Sequence, residues 1–213
     1  MKKRTEKLME ILTAQPVIPV LKIDRLADAV PLARALAKGG LPAIEITLRT
    51  PEALDAIRLV VDEVPEAIVG AGTILTKKDF SRAEEAGARF IVSPGTTEEL
   101  LDAAEDSNVP FLPGAVTPSE IMALREEGYR VLKFFPAEQA GGASFLKSLA
   151  SPLADMRFCP TGGISPKNAG DYLALPNVVC VGGSWVAPDA ELQAGNWAAV
   201  EELARQAVSP RQR

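Results

Sequence analysis

The stretch VIPVLKIDRLADAVPLARALAKGGLPAIEIT, residues 17–47, reads as strand, helix, strand. Val17 to Leu21 and Ala43 to Thr47 are short apolar runs, and between them Leu26, Ala29, Val30, Ala33, Leu36 and Ala37 recur at helical spacing. Gly39-Gly40 ends the helical pattern, as Gly87 and Gly128 do further on. Similar apolar runs follow at Ile68 to Gly70, Phe90 to Val92, Phe111 to Pro113, Val131 to Phe135, Arg157 to Pro160 and Val178 to Val181, making eight. Strands that alternate with helices build a parallel sheet. Hydroxyls followed by carboxylates mark helix starts at Thr50-Pro51-Glu52, Thr97-Glu98-Glu99 and Thr117-Pro118-Ser119-Glu120. Eight units in 213 residues leave about 27 residues per unit. The expectation is an α/β fold, a closed (β/α)8 TIM barrel with an N-terminal helix, in a single domain spanning 1–213. An open doubly wound sheet is the alternative; against it, no G-x-G-x-x-G turn follows the first strand.

Apolar residues make up 47% of the chain and charged residues 24%, the balance of an ordinary folded enzyme. The net charge of −5 gives no global positive field for nucleic acid or an anionic membrane, so an anionic ligand must be held locally. Met1 to Ala14 carries Glu6, Lys7 and Glu10 where an export signal needs an unbroken apolar stretch, and reads as an amphipathic helix. With no membrane-length apolar window, the expected compartment is the cytoplasm. Cys159 and Cys180 lie in apolar runs, the usual setting of buried, reduced thiols, although pairing between them is an alternative. The chain has no histidine, the commonest general base and transition-metal ligand. Chemistry must therefore rest on carboxylates, lysine or tyrosine. The expectation is no metal and no cofactor.

In a barrel the reacting groups sit where strands end. Period-two alternation in Ala43-Ile44-Glu45-Ile46-Thr47 turns Glu45 away from the isoleucines and into the barrel, where a carboxylate is costly unless paired or functional. Lys133 is the only lysine inside an apolar run, Val131-Leu132-Lys133-Phe134-Phe135-Pro136. An amine among apolar groups loses part of its preference for the charged form, which favours nucleophilic attack on a ketone. The alternative is a structural Lys133–Glu45 ion pair, a poor stabiliser relative to apolar packing. Arg49, which follows the same strand as Glu45, can fork onto a carboxylate at the barrel mouth or simply cap the next turn. Gly70-Ala71-Gly72-Thr73 offers backbone N–H groups and one hydroxyl, while Ser93-Pro94-Gly95 and Pro113-Gly114 read as tight turns. Pro160-Thr161-Gly162-Gly163-Ile164 and Gly182-Gly183-Ser184-Trp185 follow runs seven and eight, where barrels often bind phosphate. Each pair of glycines also reads as a plain strand-to-helix turn. Ser165-Pro166-Lys167-Asn168 offers a capped helix start beside the first pair.

Taken together, Glu45-Ile46-Thr47-Leu48-Arg49-Thr50, Gly70-Ala71-Gly72-Thr73, Lys133-Phe134-Phe135-Pro136-Ala137-Glu138 and the two glycine turns resemble the 2-keto-3-deoxy-6-phosphogluconate aldolase family, from about Leu8 to Ala207. That family includes relatives acting on 4-hydroxy-2-oxoglutarate and on 2-keto-3-deoxy-6-phosphogalactonate. The resemblance implies a metal-free class I aldolase in which Lys133 forms a Schiff base with a keto acid and Glu45 shuttles protons. It further implies that Arg49 and Thr73 hold the pyruvate carboxylate, that Phe135 packs beside the imine, and that Thr161 contacts the C4 region. Gly162, Gly163 and Ser184 match the phosphate-binding positions, and the implied assembly is a homotrimer. Two other functions suit such a barrel: a phosphosugar isomerase or epimerase using Glu45 as base, and a non-catalytic sugar-phosphate-binding protein.

Overall fold

The computed structural model describes residues 2–209. Helix α1 (Lys2–Thr13) precedes an alternation of parallel strands and helices. The strands are β1 (Val17–Leu21), β2 (Ala43–Thr47), β3 (Ile68–Gly72), β4 (Phe90–Val92), β5 (Phe111–Leu112), β6 (Gly114–Ala115), β7 (Val131–Phe134), β8 (Arg157–Pro160) and β9 (Val181–Gly183). The helices are α2 (Ala29–Lys38), α3 (Ala53–Glu63), α4 (Lys77–Glu85), α5 (Glu98–Asp106), α6 (Pro118–Glu126), α7 (Gly142–Leu149), the short α8 (Ala169–Leu173), then α9 (Asp189–Ala194) and α10 (Trp197–Val208). The fold is α/β, with all ladders parallel in two curled arcs, β5-β4-β3-β2-β1-β9 and β6-β7-β8.

Regular pairing therefore departs from the expected single eight-stranded ladder at two points. The fifth run divides at Pro113, which has no N–H to give the ladder, although its carbonyl still accepts from Lys133 N at 2.9 Å. The eighth strand lies at Val181–Gly183 instead of Val178–Val181. Its pairing with β8 consists of isolated parallel bridges, Phe158 to Val178 and Thr161 to Gly182. Three steps along β8 thus face four along the other segment, a bulge that interrupts the ladder and carries the regular strand further along the chain.

Two apolar layers follow from the two strand faces. One cluster fills the space between strands and outer helices, with Ile44, Ile46, Leu132, Phe134 and Phe158 among its members. The other lines the concave side, from Ile18, Ala43, Phe90, Val131, Cys159 and Cys180, and Leu8, Ile11 and Leu12 of α1 complete it. The N-terminal helix is thus the plug of the interior. Gln15 fastens the base of the first two strands: its Nε2 donates to the carbonyls of Val17 and Ala43 at 2.6 and 2.8 Å, and its Oε1 accepts from Ala43 N at 2.8 Å.

Helix ends follow the expected chemistry with exceptions. Thr97 and Thr117 cap α5 and α6, the latter in a capping box with Glu120, and Thr76, which the sequence pattern did not single out, caps α4. Thr50 does not cap α3; its hydroxyl donates to the Ile23 carbonyl at 2.6 Å, tying two βα loops together. Asn168 precedes α8 without a side-chain cap, and its Oδ1 accepts from Ser165 N at 2.7 Å, closing the turn before the helix. Gly40, Gly87 and Gly128 all carry positive φ at helix ends, as the sequence implied. No helix among the described residues is long and apolar enough to cross a membrane.

Candidate active site

Strand phase builds the site one layer above the apolar plug. Two residues beyond Ala43, Val131, Cys159 and Cys180 stand Glu45, Lys133, Thr161 and Gly182, so the concave face changes from apolar to polar and charged within one pleat. Lys133 and Glu45 are 5% and 3% exposed, and Nζ lies 3.2 Å from Oε1. Coming from strands far apart in sequence, they meet across the concave side. Nζ also lies 5.5 Å from the centroid of the Phe135 ring, within range of a cation–π contact. A primary amine and a carboxylate at hydrogen-bond reach, largely dry, have the chemistry that a nucleophile and a proton shuttle require.

Space for the carboxylate comes from the neighbouring strand. Gly72 is in register with Thr47, and a Cβ built there would fall 2.0 Å from Glu45 Oε1. Gly72→Ala is therefore expected to push the carboxylate off Lys133 and lower kcat by roughly 10²-fold, with far-UV circular dichroism unchanged. An alanine variant with wild-type kcat would show that the carboxylate's position is unimportant.

At the rim, Arg49 Nε donates to Thr47 Oγ1 at 2.8 Å, and that hydroxyl donates to the Leu21 carbonyl at 2.7 Å. The guanidinium is thereby held by its inner nitrogen, and its two terminal nitrogens are directed away from that bond. Thr47 was not among the residues singled out, although its phase with Glu45 was visible in the strand. Thr73 is the one non-glycine residue with positive φ, +59°, among the described residues. Left-handed backbone at a β-branched residue is costly and is concentrated at functional sites. Ser93 is fully buried in the same region, and its Oγ accepts from Gly114 N at 3.3 Å. The turn Ser93-Pro94-Gly95 is thus built into the wall, and a Cβ at Gly114 would lie 2.3 Å from the Pro94 carbonyl carbon.

The bridge between Thr161 and Gly182 sets the two glycine turns side by side. Thr161 N donates to the Phe134 carbonyl at 2.9 Å, and Ala137 N donates to the Thr161 carbonyl at 2.8 Å, so the loops after β7 and β8 are laced together. A Cβ at Gly182 would fall 2.2 Å from Thr161 Oγ1, which makes glycine the condition for the threonine's position. Gly162 and Gly163 have φ of +103° and +72°, conformations that glycine adopts without steric cost. Ser184 is exposed beyond β9, at the head of a turn closed by Ala187 N donating to its carbonyl at 3.0 Å. Lys133 meets both Glu45 and the Phe135 ring, Arg49 and Thr73 follow β2 and β3, and Thr161 begins the paired glycine turns. Among the described residues no group of His, Cys, Asp and Glu is arranged to hold a metal ion. Cys159 and Cys180 are buried free thiols below this layer, and contact between them, with burial, pushes the Cys180 thiol well above its ordinary value.

The family model described as KDPG and KHG aldolase matches residues 8–203. The chain is 50% identical over 208 residues to the 2-dehydro-3-deoxy-phosphogluconate aldolase of Pseudomonas aeruginosa, covering 98% of this chain and 94% of that one. It is 52% identical over 198 residues to the KHG/KDPG aldolase of Escherichia coli K12, covering 93% of each. The KDPG aldolase of Legionella pneumophila, solved with pyruvate captured as a covalent carbinolamine intermediate, superposes with a TM-score of 0.92 at 46% identity over 94% of this chain and 98% of that one. The Zymomonas mobilis enzyme, solved with 3-phosphoglycerate, gives 0.92 at 45% identity over 96% of each.

Proposed function

The chain belongs to the KDPG and KHG aldolase family, and on that premise we propose that it is an aldehyde-lyase cleaving 2-keto-3-deoxy-6-phosphogluconate to pyruvate and glyceraldehyde 3-phosphate in the Entner–Doudoroff pathway. Cleavage of 4-hydroxy-2-oxoglutarate to pyruvate and glyoxylate is a second activity of the same site. The observation that carries the mechanism is the buried 3.2 Å contact between Lys133 Nζ and Glu45 Oε1. Lys133 attacks the C2 ketone, the carbinolamine loses water, and the resulting iminium draws electrons from C3. Glu45 accepts the C4 hydroxyl proton as the C3–C4 bond breaks, the aldehyde leaves, and the bond's electron pair becomes the enamine. Glu45 then returns a proton to C3, and water releases pyruvate from the imine. The iminium performs the electron withdrawal that a Lewis acid would otherwise supply, so no cofactor enters the scheme.

In this reading Arg49 and Thr73 hold the substrate carboxylate, Phe135 packs beside the imine, and Thr161 meets the C4 region. Gly162, Gly163 and Ser184 take the phosphate, a role that suits two adjoining turns free of side-chain bulk. The two parallel arcs belong to one closed (β/α)8 barrel in one domain; of its expected span, 1–213, residues 1 and 210–213 lie outside the described residues. The bridges from β8 to the β9 segment and the single proline between β5 and β6 support that closure. The expected setting is the cytoplasm, which suits two free buried thiols. The family resemblance suggests a homotrimer, and a monomer mass by light scattering would rule it out.

Borohydride reduction in the presence of pyruvate, followed by peptide mass spectrometry, tests the mechanism. A carboxyethyl adduct on Lys133 is the expected result. Saturating pyruvate with no adduct on any lysine would overturn the Schiff-base scheme.

A further inference from the structure

We propose that Glu138 and Tyr172 are positioning residues that hold the Gly162-Gly163 turn in shape for the phosphate end of the substrate, an inference that rests on the functional reading of that turn given above. Glu138 lies in the loop after β7, and Tyr172 lies in α8, one element on either side of the turn. The Tyr172 hydroxyl donates a hydrogen bond to Glu138 Oε1. Below the carboxylate, Glu138 N donates to the Gly162 carbonyl at 3.1 Å, continuing the lacing that Ala137 begins at Thr161. A Cβ at Gly163 would lie 2.7 Å from Cβ and Cγ of Glu138, so the turn's backbone rests on the aliphatic stem of this residue. From the far side, Asn168 Nδ2 donates to the Gly163 carbonyl at 3.1 Å. The turn is therefore gripped on both sides, and backbone held at positive φ keeps its shape only if its surroundings determine it.

The chemistry of the grip fits the task. Glu138 is exposed, so burial does not oblige its carboxylate to find a partner, whereas the Tyr172 ring is fully buried and fixes where the hydroxyl sits. Burial, and then the bond to Glu138, push the Tyr172 phenol well above its ordinary value, so it remains a donor at every working pH. A carboxylate next to an expected dianion is unfavourable in itself. Its retention there is explained if the acceptor oxygen and the stem, and not the charge, are what the turn needs.

The distinguishing variants are Tyr172→Phe, Glu138→Ala and Glu138→Gln. The first two are expected to raise KM for 2-keto-3-deoxy-6-phosphogluconate by about fivefold or more, the scale of one lost hydrogen bond, with kcat within about twofold. Glu138→Gln keeps the acceptor and the stem and is expected to retain the wild-type KM or a lower one. Pyruvate carries no phosphate, so the concentration giving half-maximal borohydride trapping on Lys133 should stay within about twofold of wild type in all three. An equal loss on pyruvate and the phosphorylated substrate, or an unchanged KM in Tyr172→Phe and Glu138→Ala, would overturn the positioning role alone. A wild type that neither traps pyruvate nor cleaves the substrate would overturn the aldolase reading, and the inference with it.

Discussion

Lys133→Arg is expected to lose aldol cleavage by roughly 10⁴-fold or more while the protein stays folded. The substitution keeps a cation opposite Glu45 and so spares the interior an unpaired carboxylate. What it removes is a nitrogen that can shed a proton and form an imine, because a guanidinium stays protonated in proteins. Pyruvate formation followed by a coupled assay, alongside a thermal melt, separates chemistry from folding. The isomerase or epimerase alternative needs Glu45 as a base and has no use for a nucleophilic amine, so it requires substantial turnover to survive in this variant. A non-catalytic binding protein predicts no pyruvate even from the wild type. Neither reading accounts for the placement of an amine on a concave face whose next layer down is wholly apolar.

The inward placement of Glu45 and Lys133 was legible in the sequence because strand phase is a local property. Ala43-Ile44-Glu45-Ile46-Thr47 declares by alternation which side Glu45 takes, and Lys133 stands out as a charge inside an apolar run. That the two side chains touch depends on pairing between distant strands, which alternation does not encode. The same limit explains the eighth strand. Val178 to Val181 is as apolar as any strand, but the bulge opposite Phe158 to Thr161 exists only in relation to its partner. Thr50 has the local pattern of a helix cap, yet the Ile23 carbonyl, brought near by the fold, takes its hydroxyl. Thr73 gave no sign of its left-handed backbone, since a β-branched residue is the last that propensity would put there. Likewise the bond between Tyr172 and Glu138 joins residues that no motif spacing connects.

The second large effect concerns stability, and it separates the two readings of the buried pair. Glu45→Leu alone leaves an ammonium without its counter-charge in the interior and is expected to cost about 3–5 kcal/mol. For a chain of this length that corresponds to a melting temperature lower by roughly 6–20 °C. Adding Lys133→Met removes the remaining charge and fills the space with groups of similar volume. The double variant is then expected to melt at or above the wild-type temperature, because desolvating two ions costs about as much as their attraction returns. It should produce no pyruvate. That combination, stability recovered and activity absent, is what a pair retained for chemistry requires, since the wild-type interior then carries two charges that folding does not need. A double variant that melts well below wild type would mean that the pair is structural, joining β2 to β7 across the concave side. Between the single variants at the pair, Lys133→Arg should be the milder in stability and Glu45→Leu the more severe, although neither turns over substrate at an appreciable rate.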